Sequence, residues 1–237
     1  MIRSINHLHG DKLHATDGQL GHVKDFYFDD QNWVIRYVVA DTGSWLTERQ
    51  VLIPPHSFVS VDQNGKVLGV NLSKKQIEDS PSIDSHKPVS RQYEEEYYRY
   101  FGWPFYWQGD VMWGVSGAPA MELPLQPMTN EPWPSAIPKP GAADSHLRSA
   151  QAVSGYHIKA RDGTIGHVSD FMLDDQTWAI GQLVVKTGNR FSGKEVLVAT
   201  AKVERISYEE STVYVDLTMS AIEHGPTPHL ASDGTAQ

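Results

Sequence analysis

Short apolar runs separated by polar turns recur along the chain, and they occur twice in the same order. Val34 to Ala40 and Ala179 to Val185 are apolar and rich in β-branched residues, the composition of strands. Leu20 to Phe28 and Ile165 to Leu173 read as strands before them. Polar turns at 29–32 and 174–177 close a hairpin in each case. Val51-Leu52-Ile53 and Val196-Leu197-Val198 give one more strand each. Phe58 to Val61 and Val67 to Val70 flank Asp62-Gln63-Asn64-Gly65, whose Asn-Gly step is the sharpest turn signal in the chain. Their counterparts are Val203 to Ile206 and Val213 to Val215. Ser73 and Thr218 are placed to cap a short helix in each copy, which Pro81 and Pro226 stop.

The two copies align at a constant offset. From Gly10/Gly155 to Pro81/Pro226 the spacing stays at 145 residues without a gap, with 24 identities in 72 positions. The identities include Gly21/Gly166, His22/His167, Asp25/Asp170, Trp33/Trp178 and the acidic pairs Asp29-Asp30/Asp174-Asp175. Two copies are too few for a solenoid, and a unit of about 75 residues is large enough to fold alone. The expected fold is mainly β: two homologous small barrels, each with a short C-terminal helix, joined by an aromatic and Pro-rich segment. The expected boundaries are a first barrel over 1–82, a connecting segment over 83–149, a second barrel over 150–228 and a disordered tail over 229–237.

The order of these signals resembles the PRC-barrel family. That family is named for the cytoplasmic domain of the photosynthetic reaction-centre H subunit and includes the C-terminal domain of the ribosome-maturation factor RimM. The resemblance is carried by the D-G-x-[LI]-G-H-V-x-D-F opening, the D-D-Q-x-W turn, the apolar strand ending in Thr-Gly, the V-L-[IV] strand and the capped helix, over 10–81 and 155–226. It implies a β-barrel used as an adaptor, with no shared catalytic residues. The H subunit has a membrane helix before its barrel and RimM a different N-terminal domain. Neither feature is found here, so photosynthetic-complex assembly and ribosome or RNA association are only weak alternatives by family analogy.

Composition narrows the function classes. The chain has 237 residues, 40% hydrophobic and 10% aromatic, with a formal charge of −9. It has no cysteine, which removes disulfides, thiolate metal sites and cysteine nucleophiles. The net charge is −2 over 1–81, −3 over 82–149 and −4 over 150–237, so no third is basic and nucleic-acid binding is disfavoured. No window has the length and apolarity of a spanning helix or a signal-peptide core, so a cytoplasmic protein without membrane insertion is expected.

The middle third departs from the repeat. Residues 93–113 hold 10 of the chain's 24 aromatic side chains, and 119–140 hold 7 of its 14 prolines. A helix from Ser90 to about Phe101 is expected, ended by Gly102-Trp103-Pro104, with an extended linker over 119–140. Tyr97, Tyr98, Phe101, Trp103, Phe105, Tyr106, Trp107 and Trp113 are the interaction candidates, because Tyr and Trp dominate interface hot spots. So many rings cannot all stay wet. Several must pack on the barrels or against a second copy in a homodimer.

Candidate chemistry is sparse. His7, His9 and Asp11 alternate as metal ligands on a strand would, but the second copy has Ala152 and Ser154 at the histidine offsets. His22 and His167 lie three residues before Asp25 and Asp170, and a His–Asp bond holding a strand end is expected there rather than a catalytic dyad. Asp29-Asp30 and Asp174-Asp175 lack calcium-loop spacing. Trp33 and Trp178 are expected to anchor their hairpins by packing. Phosphate loops and nucleophile elbows are absent from the sequence. No catalytic, cofactor-binding or metal-binding residue is expected, and no cofactor. Gly21, His22, Asp25 and Trp33, with Gly166, His167, Asp170 and Trp178, are read as the structural signature of the repeat. The leading function is a non-enzymatic protein-interaction or scaffold module with an unknown protein partner. The alternative is a small-ligand or metal-binding protein using a His-containing cleft between the barrels.

Overall fold

The computed structural model describes residues 1–43, 46, 51–61, 66–81, 91–103, 105–107, 147–188 and 193–228. Trp113, the Pro-rich stretch 119–140, the turn 62–65 and the tail 229–237 lie outside the described residues.

The first unit contains β2 (Lys12–Ala15), β3 (Gly18–Asp29), β4 (Val34–Asp41), β5 (Val51–Ile53), β6 (Phe58–Val61) and β7 (Val67–Val70), followed by α2 (Lys74–Glu78). Its sheet runs β5-β4-β3-β2-β7-β6. All these pairs are antiparallel except β2 with β7, which is parallel. The second unit repeats the plan with β9 (His157–Ala160), β10 (Gly163–Asp174), β11 (Ile180–Lys186), β12 (Glu195–Ala199), β13 (Val203–Ser207), β14 (Thr212–Val215) and α5 (Met219–Glu223), in the order β12-β11-β10-β9-β14-β13. Each sheet curls into a half-barrel around aliphatic side chains such as Leu13, Val38, Ile53 and Leu68, or Ile158, Leu183, Val198 and Val213. Ser73 caps α2 with a reciprocal capping box to Gln76, and Thr218 caps α5, as the sequence predicts.

A short arm precedes each unit, and the expected domain boundaries did not include this feature. β1 (Ile2–Ser4) and α1 (Ile5–Leu8) lead into the first unit; β8 (Leu147–Ser149) and α4 (Ala150–Val153) lead into the second. Each arm strand pairs with the other unit. β1 adds antiparallel to β10 with Ile2 opposite Asp174 and Ser4 opposite Met172, and β8 adds to β3 with Leu147 opposite Asp29 and Ser149 opposite Tyr27. Both registers obey the 145-residue offset. The N-terminal residues Ile2–Ser4 are therefore a strand of the second sheet. The two units also share one continuous core, in which Phe28 lies 5.6 Å from Phe171 and Phe58 stacks on Trp178 at 5.1 Å.

The aromatic segment forms α3 (Arg91–Phe101), which packs on the outside of the first sheet. Gly102 ends it in a left-handed conformation, with φ 69°, and Trp103 N–H reaches back to the Tyr98 carbonyl at 3.0 Å.

Candidate functional site

Among the described residues, two places combine polar chemistry with burial: the joint between the units and the aromatic cap on the first unit. The joint is built from the repeat signature. Ser4 is the N-cap of α1, and its Oγ also donates to Asp170; Asn6 N–H donates to the same carboxylate at 3.1 Å. The mirror contact joins Ser149 Oγ to Asp25 at 2.5 Å, with Gln151 N–H on Asp25 at 3.0 Å. Arg3 pairs with Asp175 at 2.7 Å and Arg148 with Asp30 at 2.5 Å. Burial pushes the Asp25 carboxyl up despite its hydrogen bonds from Ser149, Gln151 and Phe26. Burial would also raise Asp175, but the N-terminal amine and Arg3 hold it below the usual carboxylate range.

These contacts correct one expectation. Asp25 and Asp170 are held by the serine of the opposite arm rather than by His22 and His167. His22 is exposed on β3 opposite Asp41, and His167 is half-buried opposite Lys186. Trp33 and Trp178 also do more than anchor their own hairpins. Both adopt left-handed backbone, φ 55° and 58°. Each uses its carbonyl to bond the other unit, Trp33 to Ile180 N–H at 2.7 Å and Trp178 to Ile35 N–H at 2.9 Å. Non-glycine residues pay for positive φ with steric strain, so the joint holds this geometry in place. Gly21 and Gly166 have a packing reason. A Cβ on either would lie 2.0 Å from a carbonyl oxygen of the neighbouring strand, Asp41 or Lys186.

The cap brings together several of the predicted aromatic residues. Tyr97, Tyr98 and Tyr106 are buried, while Phe101, Trp103, Phe105 and Trp107 are half-buried. Tyr97 donates to the Leu52 carbonyl at 2.5 Å. At the centre Glu94, fully buried, accepts from Tyr37 at 2.9 Å and Tyr106 at 2.6 Å. Arg36 lies 4.0 Å over the Tyr106 ring and pairs with Asp29 at 3.0 Å. Burial would raise Asp29, but the Asn32 side chain and the Arg36 guanidinium hold its carboxyl low. Burial, reinforced by the Glu94 charge, pushes the Tyr37 and Tyr98 hydroxyls up. His56 is partly buried against Trp103 at 4.4 Å, with no hydrogen-bond partner for Nε2 among the described residues, and burial lowers it to about 4.

Sequence reasoning missed Arg36, His56 and Glu94. A signal was present, since the repeat places Gly181 and Ala201 where the first unit has Arg36 and His56. Those substitutions mark the face of the first unit that α3 covers. Among the described residues no group of three or more His, Asp or Glu is arranged to hold a metal ion, and His7, His9 and Asp11 form none. No helix among them is long and apolar enough to cross a membrane.

The fold and joint define a tandem of two small half-barrel modules locked together by exchanged arms. A family model of the PRC-barrel domain matches residues 5–77 and 158–221, and the chain belongs to the PRC-barrel family. No curated protein matches the chain significantly.

Proposed function

We propose that the protein is a non-enzymatic, cytoplasmic protein-interaction module that docks a protein partner through its aromatic cap. The observation that carries this reading is asymmetry. The two units share fold and joint, yet only the first carries α3 and its rings, and several of those rings stay half-exposed on the outer surface. Tyr100 is 43% exposed at the edge of this surface, with its hydroxyl on the Gln76 carbonyl. Tyr and Trp in such a setting bring large contact area at low entropy cost. The barrel interiors, filled by aliphatic side chains, favour a scaffold over a ligand carrier.

The test is affinity capture with the full chain from its native cell, comparing wild type with Tyr100→Ser. Tyr100 is exposed, so the variant keeps the wild-type melting temperature. Loss of the captured partner supports docking at the cap. Undiminished capture by a folded variant refutes it. Replacing Trp103 and Trp107 by Ser removes half-buried packing too, and lowers both capture and stability.

A further inference from the structure

The joint between the units has a property that the docking role does not use. Its four polar partners are identical in both directions: Arg3 and Ser4 of one arm match Arg148 and Ser149 of the other, and Asp25 and Asp30 match Asp170 and Asp175. The strand registers coincide after the 145-residue offset, and the backbone exchange through Trp33 and Trp178 is reciprocal. Nothing in this set distinguishes the first arm from the second or the first acceptor from the second. The contacts around it do differ among the described residues: the Met1 amine reaches Asp175 at 2.7 Å, the Asn6 side-chain amide donates to the Ser169 carbonyl at 3.1 Å, and Tyr208 lies 4.6 Å from the Arg148 guanidinium.

We infer that a second copy of this chain is a partner for the joint, each copy supplying arms to the acceptor strands of the other. No hinge has to open within a unit. Each arm runs directly into its own barrel, from Ser4 through Ile5–Leu8 to Lys12, and from Ser149 through Ala150–Val153 to His157. The units therefore pair as intact bodies, and the pairing is the same within one chain or between two. What favours the single chain is the covalent connection, which gives the units an effective concentration for one another below the roughly millimolar level of a short flexible linker. Removing the preference for the same chain, or folding above that concentration, should produce a two-chain particle with four units.

Charge reversal tests this in the full chain. Variant one carries Arg3→Asp and Arg148→Asp; variant two carries Asp30→Arg and Asp175→Arg. Each alone opposes like charges at both joints. In an equimolar mixture every arm of one meets a complementary acceptor of the other. Light scattering should then show a 1:1 complex of twice the 26.5 kDa chain mass. All four reversals in one chain restore complementary pairs within it and should give a single-chain particle. A mixture that shows only single-chain masses, while the four-reversal chain folds, overturns the inference. If the four-reversal chain does not fold, the native joint decides. Chains labelled at Val59→Cys with two different fluorophores are unfolded together and refolded at rising concentration. Energy transfer that grows with concentration, and is unchanged by Tyr100→Ser, supports arm exchange rather than contact through the cap. No transfer up to about millimolar, the range where copies compete with the tether, overturns it.

Discussion

Glu94 shows how one residue sets the chemistry of the cap. Its carboxylate is the acceptor for two tyrosine hydroxyls that have left water, Tyr37 from β4 and Tyr106 from beyond α3. Removing an acceptor strands its donors, and each stranded buried group costs about 1–3 kcal/mol. Glu94→Ala should therefore destabilise the protein by about 2–5 kcal/mol in urea denaturation, and Glu94→Gln, which keeps an acceptor oxygen, by less. A Glu94→Ala loss under about 0.5 kcal/mol, the scale of ordinary surface substitutions, would show that the carboxylate is not what fixes the tyrosines. The helix expected from Ser90 to about Phe101 contains Glu94, but nothing in the local sequence marks it as buried. Its burial depends on Tyr37 and Tyr106, 57 and 12 residues away, and no local pattern encodes that meeting. Gly21 and Gly166 were legible for the opposite reason. A glycine recurring at the same strand position in both copies signals close backbone approach, which the Asp41 and Lys186 carbonyls supply.

At the scale of elements, the long strands, both capped helices and α3 follow from local signals that tertiary packing reinforces. The arms do not. Three-residue strands such as Ile2–Ser4 and Leu147–Ser149 are too short for periodicity to register. The hint was the Arg-Ser pair recurring at the same offset upstream of the aligned repeat. α3 is held to the first sheet by contacts that include a partly buried imidazole, and this makes its attachment sensitive to acid. His56 faces Trp103 and Tyr98, and burial lowers it from 6.5 to about 4. The folded state thus prefers the neutral ring. Above pH 6.5 His56 is neutral in both states and has no effect on the folding balance. As pH falls from about 6.5 to about 4 the unfolded chain takes up the proton first, and stability drops. A shift of that size is worth up to about 3 kcal/mol when complete. Asp29, held low by Asn32 and Arg36, acts in the same direction only at lower pH, as its carboxylate protonates. His56→Phe should flatten the stability profile between pH 6.5 and 4, measured by thermal melts across that range. An unchanged slope would remove His56 as its source.

The whole molecule is one particle made from two similar halves, and its unity rests on contacts that cross between them. β1 completes the second sheet, β8 completes the first, and the Trp33 and Trp178 carbonyls bond across the junction. The repeat made two units legible and led to the expectation that 1–82 and 150–228 each hold structure alone. A cut at 150 would take Arg148 and Ser149 away from the second half, and with them the strand that lies on β3. Integrity should therefore depend on the joint more than on covalent continuity between the units. A chain given one protease site between 111 and 146 and cleaved there should still elute as a single particle with both pieces present. Arms bonded along a strand, ion pairs on both sides and a shared aromatic core bury more than the loss of one peptide bond releases in tether entropy, which grows only slowly with loop length. Adding Ser4→Ala and Ser149→Ala to the cleaved chain removes both caps and one cross-unit hydrogen bond each from Asp170 and Asp25, so the pieces should separate at lower urea than in the cleaved parent. Pieces that part on a nondenaturing column without those substitutions would mean that the connecting segment, and not the exchanged arms, holds the halves together.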